Sequence, residues 1–200
     1  MSAPDTGFVD PDWQAPLDAE AQIAQTPEIG ALKGLFYQDI LDTCAAMEAR
    51  VSPARPRYLP FIDYPLREYM DLLVQAAGAL HPREPLRNGL RRIGRLAYPT
   101  LAGTLIGRAI FGIAGRNFGT VLSLASRAYS VSLKPGDVEL VERSEGRGVV
   151  HLRNLWNFPD SYQVGVFEGA LIAVGVRGKV LVRVLSRCDA DFEVTWDDKG

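Results

Sequence analysis

Along these 200 residues the spacing of apolar side chains changes once, and that change limits the fold more than any other feature. Up to about residue 127 apolar positions recur every three or four residues, the period of a helix; from Ala128 onward they alternate, the period of a strand. Runs of helix followed by runs of strand predict an α+β chain, not the alternating pattern of a parallel-sheet protein. The expected architecture is a helical N-terminal half packed on a mostly antiparallel C-terminal sheet crossed by one helix.

Phe36, Ile40, Cys44 and Met47 mark a first helix that ends before the Pro53/Pro56/Pro60 segment. Pro65 suits the first turn of a second helix, with Leu66, Tyr69, Leu73, Ala76 and Leu80 on its buried face and His81-Pro82 at its end. The third, from Pro85 to Tyr98, has the clearest two-faced pattern: Leu86, Leu90, Ile93 and Ala97 oppose Arg87, Arg91 and Arg95. A fourth follows Pro99, with Gly103 and Gly107 four apart, and Asn117 would cap a fifth.

Tyr129, Val131 and Leu133 read as the first strand, running into the turn signal Lys134-Pro135-Gly136-Asp137. Val138 and Leu140, then Val150 and Leu152, continue a meander through a turn at Ser144-Glu145-Gly146. Pro159-Asp160-Ser161 opens the crossing helix, in which Val164, Phe167, Leu171 and Val174 form an apolar stripe that stops at Gly175 or Gly178. Two last strands alternate strictly, as Val180, Val182 and Val184 and then Phe192, Val194 and Trp196.

The charges are unevenly placed. Residues 1–28 hold four prolines, scattered acids and no Lys or Arg, and are expected to form an acidic flexible arm ahead of a single domain at 29–200. Arg87, Arg91, Arg92 and Arg95 form a basic face suited to a protein partner, although such a stripe is often only a solvated helix surface. With no aromatic interleaving and a net charge of -2, nucleic acid is not an expected partner. The apolar stretch 96–115 is broken by Pro99 and Arg108, so membrane insertion is not expected either. The first residues show no basic and apolar leader, and the two cysteines, Cys44 and Cys188, form no disulfide framework; both features suggest a cytoplasmic chain.

Catalytic signatures are missing: there is no Gly-x-Ser-x-Gly elbow, no phosphate-binding loop and no short chelating pair among Cys44, His81, His151 and Cys188. No catalytic residue, metal site or cofactor is therefore assigned. Glu168, on the most apolar helix, calls for a partner if it is buried, either inside a pocket or in a structural ion pair. A small apolar cavity between helices and sheet is expected, with Tyr129, Trp156 and Glu168 at its wall. The alternative cofactor is haem, with His81 as its axial ligand.

Lys33-Gly34-Leu35-Phe36, Tyr64-Pro65-Leu66, Gly89-Leu90-Arg91-Arg92-Ile93-Gly94-Arg95, Ala128-Tyr129-Ser130-Val131, Gly165-Val166-Phe167-Glu168-Gly169-Ala170-Leu171 and Val194-Thr195-Trp196 together resemble a myxobacterial family of uncharacterised proteins. In its order of elements the carboxyl half is similar to domains related to vinyl-4-reductase, haem-nitric-oxide-binding and vesicle-tethering proteins. That resemblance implies a cavity between helices and sheet, or dimerisation through helices. The chain keeps Cys188 but lacks companion cysteines, and His81 stands outside a haem-sensor motif. The functional expectation is a non-catalytic regulatory or protein-interaction domain, self-associating or bound to a partner; the alternative is a small-molecule sensor binding haem or another hydrophobic ligand.

Overall fold

The acidic segment departs first from expectation. The computed structural model, which describes residues 7–112, 114–115 and 117–197, turns Ala19–Gln25 into helix α1, with the Asp18 carboxylate accepting from the Ala21 amide at 3.1 Å. Such a cap satisfies one of the amides that a helix start leaves unpaired. Ahead of α1, Val9 exchanges two backbone hydrogen bonds with Val182, and within it the buried Gln22 donates to the carbonyls of Trp156 and Arg187 at 2.8 and 3.0 Å. Residues 7–28 thus lie against the domain rather than standing outside it; residues 1–6 of the expected arm fall outside the described residues.

Three short strands, β1 (Ala31–Lys33), β2 (Asp63–Pro65) and β3 (Leu133–Lys134), pair antiparallel in the order β2-β1-β3. They tie the start of the domain to its middle and frame α2 (Gly34–Ala46) and α3 (Leu66–Leu80). Helix α4 spans Leu86–Ala102 and runs through Pro99, beyond the end expected at Tyr98. Proline cannot donate to the Arg95 carbonyl one turn back. Another helix covers that oxygen, as described below, so the helix continues where isolated sequence rules would stop it.

Two short helices follow, α5 (Leu105–Phe111) and α6 (Phe118–Ser123), capped by Thr104 Oγ1 and by Asn117 Oδ1 at 2.9 and 2.8 Å. The segment expected to open the sheet is instead helix α7 (Ala125–Ser132). Alternation over Tyr129, Val131 and Leu133 is too short to decide, and the burial of Ala128 and Ser132, four apart, shows the helical period prevailing.

The main sheet comprises β4 (Asp137–Ser144), β5 (Arg147–Arg153), β6 (Gly178–Val184) and β7 (Ala190–Trp196), all antiparallel, in the order β4-β5-β7-β6. Helix α8 (Tyr162–Val174) crosses between β5 and β6 and ends on Gly175, whose φ of 80° is the left-handed cap that glycine adopts without strain. The α+β architecture is therefore as the sequence implies. Helix α8 is buried around most of its circumference, between the sheet, where Phe167 meets Phe192 at 5.2 Å, and α4. An almost uniformly apolar helix has no other stable position in water.

Helices α4 and α8 contact each other more extensively than any other pair of elements. A Cβ on Gly94 would overlap the Tyr162 carbonyl, and one on Gly165 or Gly169 would overlap the carbonyls of Arg91 or Arg95. The backbones touch because these three side chains are absent. Gly169 is also the group that faces the carbonyl left without a donor by Pro99.

Candidate functional site

Residues of α4 and α8 together with α5, α6 and α7 line a half-open cavity. Its accessible volume is about 80 Å³, and all the space within it, open solvent included, is about 700 Å³. Tyr98 and Leu101 of α4 form one wall, Val166, Phe167 and Ala170 of α8 another, and Phe111, Phe118 and Leu122 the roof. Leu32 and Phe36 close the end nearest β1. Among the described residues that line it, none is Asp, Glu, Lys, Arg, His or Cys.

The few polar groups in this wall are ordered. The Tyr129 hydroxyl donates to Gln163 Oε1, and Gln163 Nε2 donates to Asn157 Oδ1 at 2.7 Å. Burial pushes the Tyr129 phenol well above its ordinary pKa, with the neighbouring Tyr162 adding to the effect, so it stays a neutral donor. Tyr162 shares a 2.8 Å hydrogen bond with Tyr69, and burial raises both phenols too. Ser132, at the end of α7, is different: it is buried, and its Oγ has no protein hydrogen-bond partner. A helical serine usually turns its hydroxyl to the carbonyl one turn earlier; here the hydroxyl is buried without such a partner, and other atoms of the residue line the cavity.

The residues singled out from sequence fall into different places. Tyr129 lines the cavity, whereas Trp156 does not: its indole donates to Asn154 Oδ1 at 2.8 Å in the loop before α8. Glu168 faces α4, where it accepts from Arg91 Nε at 2.8 and 3.0 Å and from Arg95 Nε at 3.0 Å. It is the structural pair of the two alternatives, 14% exposed, and locks the register of α4 on α8. Of the expected partner-binding face, Arg87, Arg91 and Arg95 are held in contacts within the chain, while Arg92 stays exposed. Arg87 pairs with Asp160 and donates to the Ala15 carbonyl, Arg92 pairs with Glu84 at 2.8 Å, and the Arg91 guanidinium lies 4.2 Å from the Trp13 ring centre. Segment 7–28 thus covers the Arg87 and Arg91 part of what looked in sequence like an open basic stripe.

Sequence reasoning passed over Ser132, Asn157 and Gln163. Gln163 carried a signal, an amide inside an apolar helix, of the kind that drew attention to Glu168. Ser132 carried none, since its burial depends on α7 being helical.

Residues 30–197 match the family described as "Protein of unknown function (DUF2378)". A search of curated proteins returned no match. Among solved structures, the chain is similar to an H-NOX protein from S. oneidensis in the Fe(II)NO ligation state, at 10% identity and a TM-score of 0.65 over 84% of this chain and 100% of that one. It is also similar to a point mutant of the Fe(II) unliganded H-NOX protein from K. algicida, at 9% identity and a TM-score of 0.63 over 84% and 98%. A third, from work on heme distortion in the H-NOX family, matches at 13% identity and a TM-score of 0.59 over 84% and 96%. The fold is therefore H-NOX-like.

Haem requires an axial donor and compensation for its carboxylates. His81 lies at the C-cap of α3, beside Glu84 and Arg92, and does not line the cavity; burial lowers its pKa. His151 lies on β5 near Asp191. Tyr129 is committed to Gln163 and held neutral, which disfavours a phenolate ligand. Among the described residues the cavity thus offers neither the donor nor the cations, and the residues present do not fit haem ligated by His81. No group of His, Cys, Asp and Glu among the described residues is arranged to hold a metal ion.

Proposed function

The chain belongs to the DUF2378 family of proteins of unknown function, and we propose that it is a non-catalytic sensor domain in which an apolar small molecule other than haem occupies the cavity under α5–α7. The observation that carries this reading is the lining itself: its described residues are apolar but for a few polar groups, none is charged, and Tyr129, Gln163 and Asn157 are hydrogen-bonded to one another.

The same arrangement supplies a response. The α4/α8 pair is fixed by backbone contact and by Glu168, whereas the roof consists of helices of seven, six and eight residues, short enough to depend on packing for their stability. A ligand shifts a conformational equilibrium only through differential contact with the two states. Filling the cavity adds contacts to Phe111, Phe118 and Leu122 and leaves the α4/α8 seam unchanged. A protein partner, or a second copy of the chain, would then read the roof. No helix among the described residues is long and apolar enough to cross a membrane.

Hydrogen exchange with and without 1-hexanol tests this. Saturable protection confined to residues 105–132 is the expected result; protection that is absent, or spread uniformly over the chain, overturns the sensor reading.

A further inference from the structure

We infer that the outer edge of β6 is a docking site for an extended segment of a partner protein, which adds as an antiparallel strand and carries an aromatic and an acidic residue two positions apart. Residues 7–10 of the chain itself occupy that site in this structure. The site shares no residue with the cavity. Strand β6 stands at one end of the main sheet, so one side of its backbone faces away from the ladder. On that side Val182 donates to the Val9 carbonyl at 2.8 Å and accepts from the Val9 amide at 3.0 Å, in an antiparallel bridge. The alternation of a strand turns the backbone groups of Val180 and Val184 the same way. Among the described residues these have no hydrogen-bond partner on that side, so only the middle rung is filled. Such an edge is a template for a further strand, and β6 holds neither a proline nor a bulge that would prevent one.

The present occupant shows what the edge selects. Strand addition draws its affinity from the backbone and its specificity from alternate side chains. On one side of the Val9 bridge the Arg183 guanidinium lies 4.7 Å from the Phe8 ring centre, and on the other Asp10 pairs with Lys179 at 3.0 Å. Two cationic side chains therefore meet a π face and a carboxylate, and a segment with basic residues at these places is repelled.

The same contacts make the occupant replaceable. Val9 is 61% exposed, and both members of the Asp10–Lys179 pair are more than half exposed, where an ion pair contributes little. Firmer anchorage begins further along, where Arg87 donates to the carbonyls of Ala15 and Pro16 and where α1 packs. Residues 7–10 can leave the edge while the chain behind them stays in place. They also lie outside residues 30–197, which match the family, whereas β6 lies inside; the edge belongs to the shared domain and its cover does not.

Fluorescence anisotropy with a dye-labelled peptide of residues 7–14 tests this on the full chain. Val9→Pro in the chain removes the amide that donates to Val182, because proline has no N–H, and should open the edge. The opened chain is expected to bind the peptide at least about tenfold tighter than the wild type, in which the tethered segment competes at a high effective concentration. The same peptide carrying Val9→Pro should not bind, and one carrying Asp10→Lys should bind at least about threefold more weakly. Adding Lys179→Glu to the opened chain should restore binding of the Asp10→Lys peptide. Phe8→Ala with Asp10→Ala in the chain opens the edge independently if Val9→Pro unfolds the protein. Failure of both opened chains to bind the peptide, or binding that tolerates Val9→Pro in the peptide, overturns strand addition at β6. An opened chain that dimerises in sedimentation and excludes the peptide assigns the edge to a second copy and overturns the partner segment.

Discussion

Asp191 shows how a single residue sets a pH dependence. Its carboxylate is almost completely buried on β7, yet Arg153 and Arg183 each reach it at 2.7 Å and His151 lies at 3.6 Å. Burial pushes its pKa up; the hydrogen bonds from Arg183 and Arg153, with their charge, outweigh that and leave it below the ordinary carboxylate value. A carboxylate whose pKa is depressed by folding contributes stability above its unfolded pKa, and that contribution disappears as pH falls through the folded value. Urea unfolding should therefore show the wild type losing stability below about pH 4 more steeply than Asp191→Asn. At neutral pH the variant should be less stable by about 1–3 kcal/mol, since both arginines that lose their partner are partly exposed. Equal acid sensitivity of the two proteins would show that Asp191 is not the group responsible.

Among the elements, the α4/α8 seam is the most restrictive. Gly94, Gly165 and Gly169 each occupy a position where a Cβ would overlap a backbone oxygen, and backbone cannot yield as the end of a flexible side chain can. Gly165→Ala should cost about 1–3 kcal/mol in denaturant unfolding and loosen the arginine contacts of Glu168. A neutral effect would mean that the helices can move apart freely. This seam was partly legible in the sequence: the Arg face and a Glu168 in need of a partner were both visible, but not that these arginines are that partner. Helix–helix partnership is a tertiary fact that periodicity does not encode. Helix α7 shows the reverse error, since five residues of alternating character fit a strand as well as a helix and only packing against the cavity decides. Helix α1 escaped notice because seven residues in an acidic, proline-bearing segment provide no sustained period; the Asp18 cap holds it locally, and Gln22 ties it to the distant carbonyls of Trp156 and Arg187.

At the scale of the whole molecule, the helical front half, the antiparallel C-terminal sheet and the crossing helix followed from patterning, because burial on one face imposes a period on the sequence. The site followed only in outline. Tyr129 lines the cavity, but Trp156 and Glu168 are drawn elsewhere by hydrogen bonds, and His81 lies outside the cavity walls. The result is an H-NOX-like fold whose cavity has a chemistry of its own, apolar and without charged side chains among the described residues that line it. Fold and ligand are separable, since the fold is set by buried spacing and the ligand by a few side chains at the wall. Native mass spectrometry of the chain freshly purified from haem-replete cells tests that claim most directly. The account predicts the bare chain, or the chain with one uncharged organic molecule that leaves on gentle activation; a stoichiometric haem adduct would contradict it.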